Sequence, residues 1–217
     1  MGNPTASALL AYGDPTPVIG GAIAVFAAIG LAIFGRLRKR QADFKLAAEQ
    51  HGFEVMEPRP RFVGNWRTLA SKSEGIWALE IREERVAEGE EDAFFQEITL
   101  RSPATGGLEF LFRPKSRWRK LEPEGEARNV EIGDAEFDRI WFVETNRPQL
   151  LIAALTPELR AHFDGLQPSS GPCRVSLKQG LIVIRGNRYF LPAARFDHAM
   201  KLVQSLARVA EEAMRLA

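Results

Sequence analysis

From Val18 to Phe34 the chain runs 17 residues without a charged or strongly polar side chain, and no polar face interrupts the run. With Pro17 and Gly35 at its edges the stretch is 19 residues. As a helix it would rise roughly 28 Å, close to the thickness of a hydrocarbon core. A helix also satisfies its own backbone in lipid. The pattern therefore predicts a transmembrane helix over 17–35. Three alternatives fit less well. A cleaved signal peptide carries bases before a shorter apolar core, whereas residues 2–16 hold none. A lipoprotein signal needs a cysteine just after the core. A buried core helix usually shows a polar face.

Beyond the span the pattern changes. Arg36 to Gln50 continues helical, with Leu37, Phe44, Ala47 and Ala48 at helical spacing and Gly52 as a stop. Pro58 and Pro60 enforce an extended segment. Phe62–Ala70 and Ile76–Arg85 read as strands, the second with imperfect alternation. An acidic turn over Glu88–Asp92 follows, then strands over Phe94–Arg101 and Leu108–Arg113, joined through Pro103, Gly106 and Gly107. This spacing of turn residues suggests an antiparallel meander. Lys115 to Arg128 reads as a charged loop and Phe137–Thr145 as a strand.

Pro148–Leu155 is helical. Thr156-Pro157-Glu158 then starts a second helix with a capping hydroxyl, a first-turn proline and a favourable acid, ending at Gly165. Pro168–Pro172 is a loop. Cys173–Leu177 and Leu181–Arg185 form a hairpin around Gly180. Ala193–Leu216 is a long amphipathic helix with Ala199, Leu202, Val203, Leu206, Val209, Ala210 and Ala213 on its apolar face. The expected class is α+β: an N-terminal transmembrane helix, then an antiparallel sheet packed against helices, closed by the long C-terminal helix.

Charge sets the topology. Of 29 bases, four stand directly after the span, at Arg36, Arg38, Lys39 and Arg40. Residues 1–35 carry one charged side chain, Asp14. Cationic flanks stay in the cytoplasm. The expected order is a short extracytoplasmic tail over 1–16, the transmembrane helix over 17–35, a basic juxtamembrane segment over 36–41, and a cytoplasmic domain over 42–217. The expected product is a single-pass protein of the inner (plasma) membrane with its N-terminus outside. The four bases can pair with anionic headgroups. The domain is near neutral, which gives nucleic acid no electrostatic foothold.

Gly20, Ala24, Ala28 and Ala32 place small side chains on one stripe of the span. Such a stripe admits a homodimer, although alanine and glycine are common in membrane spans anyway.

Candidate chemistry is thin. Arg113, Lys115, Arg117, Trp118, Arg119 and Lys120 form a basic cluster around an aromatic. It can touch lipid or a partner, bind phosphate and stack on the bases of a nucleic acid, or be a solvated loop whose Trp packs back on the sheet, and Glu122, Glu124 and Glu126 weaken its field. Asp134, Glu136 and Asp138 are closely spaced carboxylates. Asp134 with Gly133 reads as a turn, and Asp138 as a local hydrogen-bond acceptor. Cys173, the one cysteine, permits no intrachain disulfide and reads as a small apolar filler. His51, His162 and His198 lack metal-ligand spacing. Gly20-Gly21 lies in the span and Gly106-Gly107 precedes a strand, so neither makes a phosphate loop. No catalytic, cofactor-binding or metal-binding residue is assigned.

One further pattern stands out. Gly133, Phe137-Asp138, Trp141 and Val143 are followed by Leu155-Thr156-Pro157-Glu158-Leu159-Arg160 and the hairpin Leu177…Gly180-Leu181…Val183. This order resembles a group of uncharacterised bacterial membrane-anchored domains of unknown function, over about residues 42–190. The resemblance implies an N-terminal span before a helix and a strand-rich region, and bacterial origin. It implies no activity. Together these readings point to a tethered, non-enzymatic domain that binds a protein partner or the inner membrane surface. The alternative is a membrane-bound, hydrolase-like enzyme.

Overall fold

In the computed structural model, residues 16–57, 65–74, 77–88, 91–101, 106–115, 128–166, 173–187 and 193–216 are described, with side chains inside the first helix from residue 28 onward. The chain divides into two units, Met1–Ala42 and Asp43–Ala217.

Helix α1 (Thr16–Gln50) enters both units. Its end is fixed as the sequence leads one to expect. The Gly52 and Phe53 amides donate to the Glu49 and Ala48 carbonyls, and Gly52 takes a φ of +77°, where glycine carries no steric penalty. Among the described residues no helix is long and apolar enough to cross a membrane. The first part of the expected span, 17–27, lies outside the described side chains, and the tail over 1–15 lies outside the described residues.

The second unit holds nine strands among the described residues: β1 (Glu54–Val55), β2 (Trp66–Glu74), β3 (Trp77–Glu88), β4 (Glu91–Arg101), β5 (Phe110–Pro114), β6 (Arg128–Val130), β7 (Trp141–Thr145), β8 (Arg174–Lys178) and β9 (Leu181–Asn187). They form one sheet in the order β1-β2-β3-β4-β9-β8-β5-β7-β6, with every pairing antiparallel. Two- and three-residue strands close its edges.

The meander stops at β4. The β8–β9 hairpin, far downstream, inserts between β4 and β5, so β4 pairs with β9 and β5 with β8. The reason is side-chain alternation. Ile98 and Leu100 of β4, Ile182 and Ile184 of β9, Val175 and Leu177 of β8, and Phe110 and Phe112 of β5 stand in register on one face. All are buried.

Helices α2 (Ala135–Ile140), α3 (Pro148–Ala154), α4 (Pro157–Gly165) and α5 (Ala193–Arg215) complete the unit. The core joins that sheet face to the expected apolar stripe of α5, from Ala199 to Ala213, and to Ala47 and Ala48 of α1. An indole adds a polar tie, Trp77 Nε1 donating to Glu211 Oε1 at 3.0 Å. An aromatic nest of Phe112, Phe137, Trp141 and Phe163 fills the far end. Leu111 and Phe142 alternate with core residues and are buried outside this cluster.

Several expectations shift. The strand over Phe137–Thr145 begins only at Trp141, because residues 135–140 are the helix α2. Asp134 caps that helix by accepting the Glu136 and Phe137 amides. Asp138 accepts the Ile132 and Gly133 amides at 3.0 Å each and fixes the incoming chain. The strand expected over Phe62–Ala70 runs over Trp66–Glu74, with 58–64 outside the described residues. The strand expected over Leu108–Arg113 starts at Phe110. Before it, Asn146 accepts the Glu109 amide and donates to the Gly107 carbonyl, which ties the crossing loop down. The acidic turn expected over Glu88–Asp92 narrows, since Glu88 ends β3 and pairs with Glu91 at the start of β4. The pattern does not foresee the short strands β1 and β6, Arg128 opening β6 where it reads as loop. The α3–α4 pair, the Thr156 cap accepting from Leu159, the hairpin and α5 stand where the pattern places them.

Candidate functional site

Between residues 28 and 34 every described side chain of α1 is exposed. Ile29, Leu31, Ile33 and Phe34 present 50, 72, 52 and 52% of their surface. At 100° per residue these four span about 200° of the helix circumference, and the exposed Ala28 and Ala32 occupy the remaining side, so one partner surface could not cover them all. Directly beyond, Arg36, Arg38, Lys39 and Arg40 are exposed as well. The Arg38 guanidinium lies 4.6 Å from the Phe34 ring centroid, an arrangement suited to a side chain at the boundary of an apolar layer. Of the small-residue stripe, Ala28 and Ala32 are exposed, and Gly20 and Ala24 fall outside the described side chains.

The basic cluster is only partly in view. Lys115 donates its amide to the Ile140 carbonyl and its ammonium to the Asp138 carbonyl at 2.5 Å. It therefore pins α2 to β5. Arg117, Trp118, Arg119 and Lys120 lie outside the described residues. Arg113, two residues earlier, faces the buried Glu144 carboxylate and lies over the Phe142 ring at 5.1 Å.

The carboxylate group is structural. Asp134 pairs with Arg160 Nη1 at 2.6 Å, and backbone amides, chiefly that of Phe137, hold it below the usual carboxylate range. Asp138 serves the turn described above, and Glu136 is exposed. Cys173 is buried, and desolvation pushes its thiol up to about 12, far from a reactive thiolate. Among the described residues no group of three or more histidine, cysteine or acidic side chains is placed to hold a metal ion.

Sequence reading missed a charged ladder on the second face of the sheet. Arg82 of β3, Glu97 of β4 and Arg185 of β9 fall in one cross-strand row. Arg185 pairs with Glu84 and, at 3.3 Å, with Glu97, while its guanidinium lies 4.5 Å from the Phe95 centroid. Arg82 pairs with Glu80 on its own strand. Burial raises the Glu97 carboxyl above its ordinary value, and Arg185 only partly offsets this. The alternation of Glu80, Arg82 and Glu84 carried the local signal. Their partner on β9 is about a hundred positions away and could not be seen without the strand order.

No family model matches the chain. No curated protein matches it either. Among solved structures it is similar to the crystal structure of the mycobacterial trehalose monomycolate transport factor A, TtfA, with a TM-score of 0.51. The likeness covers 79% of this chain and 94% of that one, at 15% sequence identity. It shows a shared fold.

Proposed function

We propose that the chain is a non-enzymatic accessory domain tethered to a bacterial plasma membrane, with its N-terminus outside and residues 42–217 in the cytoplasm. One observation carries the reading: α1 exposes apolar side chains on all sides up to Phe34 and changes to exposed bases at Arg36. Lipid is the solvent that suits such a helix, and the bases belong on the cytoplasmic side. The tether would hold the sheet domain near its partner and raise its effective concentration. The candidate side chains support a binding role, since Cys173, Asp134, Asp138 and Lys115 are each engaged in packing or capping. The fold shared with TtfA, a transport factor, supports a partner from a transport assembly, bound by the domain at the inner membrane surface.

Fractionation tests the anchor. The full-length chain should sediment with membranes and resist alkaline carbonate extraction. Phe26→Arg combined with Ile29→Arg, each opposing insertion by about 3 kcal/mol, should move it to the supernatant. A wild-type chain that stays soluble without detergent, or a C-terminal reporter found outside the cell, would refute the reading.

A further inference from the structure

The three histidines, spread over 148 positions from His51 to His198, meet around the start of α5. His198 lies on α5 and His162 on α4, with ring centroids 6.3 Å apart and planes tilted by 58°. The His198 ring also abuts the last residue of α4, since a Cβ at Gly165 would overlap it. Its Nδ1 is buried with no hydrogen-bond partner, so the doubly protonated ring has no acceptor there. On the other side, His51 follows the end of α1. Its ring lies 5.1 Å from that of Phe196, and its Nε2 is 4.0 Å from Asp197 Oδ1. Asp197 also holds Lys201 Nζ at 2.7 Å.

Lys201 and Asp197 of α5 both act on His162, the first against its protonation and the second for it. Asp197 is held low, first by its hydrogen bond to Lys201. It therefore remains an anion throughout the range in which histidines titrate. Arg195 acts on Cys173, and Asp164 of α4 is exposed.

Protonation has opposite signs on the two sides. Charging His162 and His198 together puts like charges 6.3 Å apart beside the Lys201 ammonium, against one shared carboxylate. Charging His51 puts a cation next to Asp197 and over an aromatic ring, which is attractive. We propose that this cluster is a proton-operated switch: acidification from neutral pH loosens α4 from α5 while it tightens the end of α1 onto α5.

The direction of the His162 shift agrees. Desolvation first, then His198 and Lys201, lower it from 6.5. A group depressed in the folded state contributes stability that is complete above its unfolded value and is lost as pH falls through the folded one. The α4 contact should thus hold above about pH 6.5 and weaken below it.

Hydrogen exchange read by mass spectrometry tests the switch on the full-length chain in mild detergent. Opening rates are compared at pH 7.5 and 5.5 after correction for intrinsic exchange. The α4 amides should open about tenfold more at the lower pH, while residues 43–53 gain protection. In His198→Gln the α4 ratio between the two pH values should fall to about one, even if that variant is looser at both. His162→Gln should do the same. His51→Gln should abolish the gain over 43–53 and leave the α4 response intact. A wild-type chain without the α4 response, or variants that keep the wild-type ratio, would overturn the switch.

Discussion

Thr156 and Cys173 mark what a single residue can disclose in advance. The Thr156 hydroxyl accepts the Leu159 amide, as a threonine before Pro-Glu should, because its capping partners lie within the next turn. Cys173, without a neighbouring base in sequence, reads as filler, and it is fully buried. Its thiol, pushed up to about 12 by desolvation, leaves little thiolate at neutral pH. Maleimide labelling of the native protein at pH 7 is expected to run at least a thousandfold slower than labelling of free cysteine, and to reach the free rate in denaturant. The histidines show the opposite case. Nothing near them in sequence points to one another, since the strand and helix order alone brings them together.

At the level of elements, legibility followed range. Helix α5 and the β8–β9 hairpin are specified by periodicity and one turn, and both were legible. Helix α2 was not, because six residues give too little periodicity to outweigh the run Ile140-Trp141-Phe142-Val143. The place of the hairpin between β4 and β5 was invisible, since matching apolar faces leave the order of strands open. Between β2 and β3, Arg67 donates through Nε to Glu83 at 2.6 Å, on the core side of the sheet, where the Glu83 side chain is 2% exposed. Removing the guanidinium strands much of that buried charge. Arg67→Met should destabilise the fold by about 3 kcal/mol in urea denaturation. Arg67→Met with Glu83→Leu should recover most of the loss, because an apolar pair needs no solvation. Equal losses in the single and double variants would show that this pair does not set the stability of the strands.

Over the whole molecule, the division after Ala42 separates a segment with an exposed apolar helix from one with its own core. Because core, sheet and caps all lie within Asp43–Ala217, that unit expressed alone should unfold in one cooperative transition at the urea midpoint of the full chain. It should also lose any membrane association. A lowered midpoint would assign part of the stability to the first 42 residues.

The edges of the sheet carry a last consequence. A tethered protein is confined to two dimensions, where encounters between copies are frequent and their relative orientation is restricted. Long bare strands would then zip neighbouring copies into polymers. Among the described residues the border strands are Glu54–Val55 and Arg128–Val130, which offer little length to template a growing ribbon. On the proposed tether, such borders would let copies pack densely on a surface and still remain dispersed.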